Sequence, residues 1–174
     1  MEANPISVRS AHVEDARALL AIYAPFVENT AISFELSPPS VDEFAARITK
    51  YVNEWAWLVA EEQGQILGYA YGSPHRERPA YRWSVETSAY VAPVAHRRGI
   101  ATLIYRKLLA ELSQKGYYNA YAGIALPNEA SVALHRSIGF APIGVFPSIG
   151  YKFDKWHDVA WLHRRLRESV DGAA

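Results

Sequence analysis

Residues 81–126 decide the fold of this chain, and they read YRWSVETSAYVAPVAHRRGIATLIYRKLLAELSQKGYYNAYAGIAL. The part from 81 to 91 alternates in side-chain character, as a strand with two different faces does. One face of that strand would carry Tyr81, Trp83, Val85, Thr87, Ala89 and Val91. Pro93 cannot donate to a strand ladder, so we expect the strand to end before it.

The rest of the stretch predicts a helix and a second strand. Residues 100–115 are expected to be helical, and Gly116 suits the left-handed conformation that ends helices. Ile104, Leu108 and Leu112 lie at helical spacing on one face. A strand is expected at 118–126. Strand–helix–strand units normally form a right-handed parallel crossover, so the two strands should be parallel.

Upstream of this stretch the sequence predicts a short strand and two helices. The strand is expected at 6–9, and the first helix at 13–23, with its last turn disturbed by Pro25. Ser40 and Glu43 form a capping box that begins the second helix. The apolar face of that helix carries Phe44, Ile48 and Tyr51.

The remaining elements complete a mixed fold. A hairpin is expected from strands at 57–61 and 65–72, a helix at 127–137, and two final strands at 143–146 and 159–165. The predicted fold class is therefore α/β (α+β). It has a mixed, mostly antiparallel central sheet with one parallel βαβ crossover and flanking helices.

Composition limits the classes of function. The 174 residues, half of them hydrophobic, fit one domain, which we assign to 1–168 with a fraying tail at 169–174. The formal net charge is zero, so no overall field favours nucleic acid or an anionic membrane as a partner. The absence of cysteine excludes disulfides and a thiolate nucleophile, and the histidines lack metal-ligand spacing, so no metal is expected. No signal-peptide pattern or membrane-spanning apolar run is present, so we expect a cytoplasmic protein.

The turn His96-Arg97-Arg98-Gly99-Ile100-Ala101 joins the predicted strand to the predicted helix. Unpaired N–H groups at a helix start, with the positive end of the helix dipole, favour a bound pyrophosphate. The small residues at 99 and 101 allow close approach, and the two arginines add positive charge. An ordinary turn with two solvated arginines is an equally good interpretation. The turn has neither the spacing of a Walker motif nor the three glycines of a dinucleotide-binding turn.

A longer pattern contains this turn. A strand ending in Tyr-Val is followed by Arg-x-Gly-x-Ala and then by Asn128-x-x-Ser131-x-x-x-His135-x-x-x-Gly-Phe. The pattern resembles the GNAT superfamily of N-acetyltransferases, in which the turn binds the pyrophosphate of acetyl-CoA. His96 stands where the superfamily usually has Gln or Arg, which affects the expected role of that side chain and not the expected fold.

Further motifs resemble the phosphinothricin/methionine sulfoximine N-acetyltransferase branch over nearly the whole chain. They are Asn29-Thr30, Phe34, Arg78-x-Ala80-Tyr81-x-Trp83, Glu86-x-Ser88, Pro127-Asn128 and Tyr151-Lys152-x-x-x-Trp156-His157-Asp158-Val159. The resemblance implies the GNAT fold, direct transfer from acetyl-CoA without a covalent enzyme intermediate, and commonly a homodimer. The residues it assigns to the coenzyme are Ala89, Tyr90, Val91, Arg97, Arg98, Gly99, Ile100, Ala101, Thr102 and Asn128.

Two residues are candidates for acid–base chemistry. Glu86 lies on the strand face opposite Val85 and Thr87, so by pattern it is either a solvated strand residue or a cleft residue. The resemblance makes it the general base. His135 stands where many GNAT enzymes carry a Tyr near the coenzyme sulfur. It is either the acid that protonates the leaving thiolate or a packed or solvated helix residue. Asn128 is the N-cap of its helix, a ligand of the pantetheine arm, or both.

Arginines before the Glu-bearing strand are candidates for binding an acidic group of the acceptor. Guanidinium groups bind carboxylates and phosphinates through paired hydrogen bonds, although a charged loop is usually only solvated. The resemblance favours Arg78, with Arg76 as the second candidate. Thr87 and Ser88 would add hydroxyl contacts, and Phe34 is either an apolar wall of the site or a core residue.

The expected function is acetyl transfer from acetyl-CoA to the amino group of a small amino-acid-like substrate such as phosphinothricin or methionine sulfoximine. Glu86 is the expected general base. The alternatives are a GNAT enzyme for another amine or a peptide N-terminus, and a non-catalytic acetyl-CoA-binding module. The glutamate disfavours the module, since a protein that only binds needs no base.

Overall fold

A seven-stranded mixed sheet organises residues 5–168, the part of the chain that the computed structural model describes. The strands are β1 (Ser7–Ser10), β2 (Trp57–Glu62), β3 (Gln65–Pro74), β4 (Ser84–Val91), β5 (Asn119–Ala125), β6 (Ala141–Lys152) and β7 (Lys155–Arg165). The helices are α1 (Ala16–Asn29), α2 (Val41–Glu54), α3 (Ile100–Gln114) and α4 (Glu129–Ser137). The spatial order is β1-β2-β3-β4-β5-β7-β6, with β4 and β5 parallel and the other neighbours antiparallel. The predicted fold class and its parallel crossover are therefore confirmed.

The predicted tail at 169–174 lies outside the described residues. None of the described helices is long and apolar enough to span a membrane.

The two faces of the sheet bury different helices, because successive strand residues point to opposite sides. On one face α3 packs its predicted apolar stripe, and Leu108 and Leu112 are fully buried against Val85 and other strand residues. On the other face α1 and α2 cover an aromatic layer that includes Trp57 and Tyr69.

The predicted capping box begins α2. The backbone N–H of Glu43 donates to Oγ of Ser40 at 3.2 Å, and the N–H of Ser40 donates to Oε2 of Glu43 at 2.7 Å. Two backbone donors at the helix start are thereby satisfied.

The first predicted helix and the central strand have different limits from those expected. Residues 13–15 form a 3₁₀ turn, and α1 continues through Pro25 to Asn29. Pro25 and Ala21, whose carbonyl loses its helical partner, are both exposed, so this carbonyl is open to solvent and the proline is tolerated. Strand β4 begins at Ser84, because residues 79–81 form a 3₁₀ turn that takes Tyr81 out of the strand.

The final hairpin is much longer than the two short strands predicted at 143–146 and 159–165. Its two-residue turn places Phe153 and Asp154 at positive φ. Such turns favour Gly and Asn, so this sequence gave no hairpin signal. Pro147 and Gly150 also interrupt the alternation of β6, where the register shifts.

Strands β4 and β5 pair over a short distance and then separate. Their parallel register covers Ser84 with Asn119, Val85 with Ala120 and Glu86 with Tyr121. Beyond Glu86, β4 continues with β3, and β5 continues with β7. The sheet therefore opens into a wedge, which we call the splay, between residues 87–91 and 122–125.

Candidate active site

Two adjoining pockets lie at the splay. The splay pocket is lined by residues 87–90 of β4, residues 122–125 of β5, and Tyr105, Asn128, Ser131 and His135. The Glu86 pocket is lined by Glu86, Phe34, Phe146, Ile149, Val159 and Trp161. Both pockets share Ile32, Thr87, Ser88, Gly123 and Ala125. A molecule in one pocket can therefore meet a molecule in the other across these shared residues.

Glu86 lies at the point where the strands separate. Its Oε1 is 2.9 Å from Nδ1 of His75, and its side chain is 35% exposed. The strand therefore presents this carboxylate to a pocket, which favours the cleft interpretation over the solvated one.

His135 is buried at the floor of the splay pocket, and both of its ring nitrogens have partners. Nδ1 lies 2.7 Å from the carbonyl oxygen of Ser131, which can only accept, so Nδ1 carries the proton. Nε2 lies 2.9 Å from the hydroxyl of Tyr105 and in the neutral ring accepts its hydrogen. Burial lowers the pKa of His135, and the hydrogen bond to the backbone of Ser131 offsets part of that lowering. Burial also raises the pKa of Tyr105, so this phenol keeps its proton.

The turn between β4 and α3 presents a helix start without a side-chain cap. Gly99 is the N-cap residue, with φ of 75°, and a side chain at this position would meet no protein atom within 4 Å. The backbone donors of Ile100, Ala101 and Thr102 lie in the first helical turn, where no carbonyl one turn earlier is available. Open space and free N–H groups at a helix start are what an anionic ligand needs.

The matching family model and the most similar proteins point to one enzyme class. The model of the acetyltransferase (GNAT) domain matches residues 8–161. The chain belongs to the GNAT acetyltransferase family. A phosphinothricin N-acetyltransferase of Streptomyces coelicolor is 40% identical over 166 residues, covering 92% of this chain and 96% of the relative. An L-methionine sulfoximine/L-methionine sulfone acetyltransferase of Salmonella typhimurium is 30% identical, covering 94% of this chain and 96% of the relative.

Solved structures agree with this assignment. A GNAT superfamily phosphinothricin acetyltransferase from Sinorhizobium meliloti, solved in complex with acetyl-CoA, aligns with a TM-score of 0.90 and 34% identity. The alignment covers 95% of this chain and 90% of that one. The present GNAT chain is therefore an acetyl-CoA-dependent N-acetyltransferase.

The coenzyme residues predicted for this GNAT enzyme lie at the end of β4, in the turn and first residues of α3, and at the start of α4. Arg97 has no ion-pair partner within residues 5–168, whereas Arg98 is paired with Glu62 at 2.7 Å. Ala89 and Tyr90 line the splay pocket. The ring of Tyr90 packs on Tyr23 with 4.8 Å between centroids. At this position, therefore, β4 can present only backbone groups to a coenzyme.

Asn128 is the N-cap of α4, as one interpretation of the sequence expected. Its Oδ1 accepts the backbone N–H of Ser131 at 3.1 Å. Its amide nitrogen has no partner in the described part of the chain, and the residue lines the splay pocket. One side chain can therefore cap the helix and still offer N–H groups to the cleft.

The structure separates the two candidate arginines. Arg78 lines a pocket with Glu54, Trp55 and Tyr117, and it lines neither the Glu86 pocket nor the splay pocket. Arg76 also lines that separate pocket, but it reaches a third one, beside His75, that shares Phe146 and Trp161 with the Glu86 pocket. Arg76 therefore lines a pocket that adjoins the Glu86 pocket and Arg78 does not, and which arginine binds the acceptor stays a prediction.

Phe34 lines the Glu86 pocket, on the segment between α1 and α2. A side chain added at Gly150 would overlap the ring of Phe34, so this glycine lets the ring lie on the backbone of β6. The same segment is held by Lys152, whose buried Nζ donates to the carbonyl oxygens of Val27 at 2.6 Å and Ser33 at 2.7 Å.

The sequence interpretation missed two residues of the site. Tyr105 shares the buried face of α3 and was not singled out from the sequence, although a buried phenol next to an apolar stripe needs a hydrogen-bond partner. His75 follows the end of β3, and no local signal connected it with Glu86. Within residues 5–168, no group of three or more His, Asp or Glu side chains is arranged to hold a metal ion.

Proposed function

We propose that this enzyme acetylates the α-amino group of a small amino-acid-like molecule of the phosphinothricin or methionine sulfoximine type, with Glu86 as general base. One observation carries the proposal: Glu86 and the Tyr105–His135 pair line two pockets that adjoin at the splay. The names of the relatives support the substrate class. The size and aromatic lining of the Glu86 pocket suit a small molecule rather than a protein surface.

The residues divide the reaction between the two pockets. Bound acetyl-CoA supplies a thioester carbonyl for the amine to attack and a thiol to leave. Glu86 accepts the proton that the ammonium must lose before the amine can attack. The hydroxyl of Tyr105, which donates its hydrogen to Nε2 of His135 in the free enzyme, turns that hydrogen to the departing thiolate in the splay pocket and so gives it a hydrogen bond. Free backbone groups of β4 and the start of α3 hold the coenzyme, with Arg97 adding charge.

Arg76 is the proposed contact for the acidic end of the acceptor. Arg76→Ala should raise the acceptor KM by about one to two decades, because losing a charged hydrogen-bonding partner costs about 1.5–3 kcal/mol. Arg78→Ala is the matched control and should leave that KM nearly unchanged. If Arg78→Ala has the larger effect, the acceptor's acidic end lies in the other pocket.

A panel of amines tests the proposed function. Thiol release from acetyl-CoA would be measured with phosphinothricin, methionine sulfoximine, methionine, glutamate and a short peptide with a free N-terminus. The proposal expects the first two to give the highest kcat/KM. Preference for the peptide would support the alternative acceptor class, and the absence of thiol release with every amine would support a module that only binds acetyl-CoA.

We also propose that the chain forms a homodimer through β6. This edge strand has no backbone partner on its outer side among the described strands, and residues 141–151 carry no charged side chain. Exposed apolar side chains on the hairpin include Ile143, Val145, Phe146, Ile149, Tyr151, Phe153 and Trp156. An uncharged apolar strip of this kind suits a second copy of itself. Light scattering should give a dimer mass, and Tyr151→Lys should lower it; a monomeric wild-type protein would contradict the proposal.

A further inference from the structure

His75 donates a hydrogen bond to the proposed base. Its Nδ1 lies 2.9 Å from Oε1 of Glu86. An ionised carboxylate can only accept, so Nδ1 is the nitrogen that carries the hydrogen and donates it. The direction of this bond is the same for the neutral and the protonated imidazole, because both forms can carry a hydrogen on Nδ1.

The sheet brings these two residues together at the point where the splay begins. Strand β3 pairs with β4 up to Pro74, which lies opposite Val85, so His75 is the first residue beyond this ladder. Glu86 is the last β4 residue in register with β5, where its partner is Tyr121. The imidazole of His75 stacks on the ring of that tyrosine, with 4.8 Å between centroids.

Two further aromatic rings restrict how the imidazole can turn. Tyr81 and Trp161 meet the ring of His75 edge-on, at 5.7 and 6.1 Å between centroids. The side chain of His75 is only 16% exposed. Packing on three rings therefore holds the imidazole in the orientation in which Nδ1 meets the carboxylate.

The carboxylate of Glu86 has no other anchor. Its side chain is 35% exposed, and within residues 5–168 only His75 forms a hydrogen bond with it. A free glutamate side chain samples several rotamers, and ordering it costs conformational entropy. A hydrogen bond from a rigid donor removes most of that freedom before the acceptor binds.

We propose that His75 is a positioning residue for the acetyl transfer, whose Nδ1–H fixes Oε1 of Glu86 and leaves Oε2 to take the proton of the ammonium. The inference rests on the proposed function, in which Glu86 is the general base. Oε2 has no hydrogen-bond partner in the described part of the chain, and Glu86 lines the pocket proposed for the acceptor.

The proton transfer that this arrangement serves is a single step. An N–H bond of the ammonium breaks, its electron pair stays on nitrogen as the attacking lone pair, and the proton forms an O–H bond with Oε2. His75 keeps its own hydrogen throughout. The proton on Glu86 is released to solvent when the products leave.

Two substitutions separate the N–H donor from the ring that carries it. His75→Phe keeps an aromatic ring among the three neighbouring rings and removes the donor. His75→Asn gives up the ring but places an amide N–H close to the position of Nδ1. His163→Phe is the matched control. The ring of His163 also lies against Tyr121, at 5.0 Å, but its Nε2 pairs with Asn119 and not with the base.

His75→Phe should lower kcat by about tenfold, less than the loss of the base itself, because an unanchored carboxylate still reaches the ammonium for part of the time. The KM for acetyl-CoA should not change, since His75 does not line the splay pocket. His75→Asn should keep kcat closer to wild type than His75→Phe does, and His163→Phe should match wild type. If the asparagine enzyme is as slow as the phenylalanine enzyme, the N–H donor is not what matters and the proposal is overturned.

A double-mutant cycle with Glu86→Gln tests whether His75 acts through Glu86. The glutamine variant has no base to hold in place, so adding His75→Phe to it should leave kcat unchanged. A merely structural role of His75 would lower kcat by the same factor in both backgrounds, and that result would overturn the proposal. His75→Leu, which also lacks the donor, takes the place of His75→Phe in the cycle if that protein does not fold.

The same kinetic series separates failure of this inference from failure of the proposed function. If Glu86→Gln is slow while His75→Phe keeps full kcat, the positioning role is wrong and the base stands. If Glu86→Gln keeps full kcat, the base is wrong and the positioning role falls with it.

Discussion

The hydroxyl of Tyr105 on α3 lies 2.9 Å from Nε2 of His135 on α4, and both side chains are buried. Their hydrogen bond joins two helices at the floor of the splay pocket. Because His135 also donates to the carbonyl of Ser131, it presents no free ring N–H to the cleft. The tyrosine is therefore our candidate for the group that meets a leaving thiolate, once its hydroxyl hydrogen turns from the histidine to the cleft.

Tyr105→Phe should lower kcat about 10²-fold while the KM for acetyl-CoA stays close to the wild-type value. The substitution keeps the ring that α3 buries and removes one donor that acts in the transition state, a loss typically worth 10²–10³-fold. Tyr117→Phe is the control, because its hydroxyl bonds to the backbone of Glu54, outside the splay. Steady-state kinetics of the two variants decide the point, and equal kcat values would remove Tyr105 from the chemistry.

Stability should fall with acidity through His135. Burial lowers its pKa below 6.5 in the folded protein, whereas the unfolded chain keeps the ordinary value. As the pH falls below about 6.5, the unfolded chain takes up a proton that the folded chain resists, so the free energy of unfolding decreases.

Urea unfolding at pH 7.5 and pH 5.5 measures this loss. The difference between the two pH values should be smaller in His135→Gln than in wild type. The variant serves as the reference because His163, whose pKa burial also lowers, acts in the same direction in both proteins. An identical pH dependence in the two proteins would contradict the assignment.

Gly99→Asp should abolish most acetyl-CoA binding, because it puts a negative side chain in front of the free N–H groups of α3. Gly64→Asp is a closely matched control. Both glycines have positive φ, 75° and 78°, and open space at the Cβ position, but Gly64 lies in the β2–β3 turn. Calorimetry should show coenzyme binding lost in the first variant and retained in the second, and loss in both would point to backbone strain.

Glu86→Gln should lower kcat by about 10²–10⁴-fold at neutral pH, the usual worth of a general base, with acetyl-CoA affinity preserved. Raising the pH should recover part of the rate, because more of the amine is then already unprotonated. The measurement is the pH dependence of kcat in both proteins. A glutamine variant with near-normal kcat and an unchanged profile would place the base elsewhere.

The sequence predicted the features that depend on local pattern. The β4–α3–β5 crossover follows from strand and helix periodicity, and the start of α2 follows from the Ser40–Glu43 box. The long β6–β7 hairpin could not be predicted in this way, because phenylalanine has no turn preference that would indicate the positive φ of Phe153.

The parts of the site that were missed depend on tertiary contacts. Tyr105 has the spacing of a core residue, and its role appears when α4 brings His135 to it. His75 and Glu86 are separated by the loop that carries Arg78 and a 3₁₀ turn at 79–81, and they meet only when that loop returns the chain to β4. No periodicity in the sequence indicates such a meeting.

The hydrogen bonds of Lys152 bear on the order in which parts of the enzyme can form during synthesis. Its Nζ holds the carbonyls of Val27 and Ser33, across 125 and 119 positions of the chain. A ribosome completes the α3 turn well before it reaches this lysine. The segment with Ile32 and Phe34, which walls the Glu86 pocket, acquires its anchor only when β6 has emerged. The turn that precedes α3 can thus form early in synthesis, while the wall of the Glu86 pocket is anchored among the last features of the newborn protein.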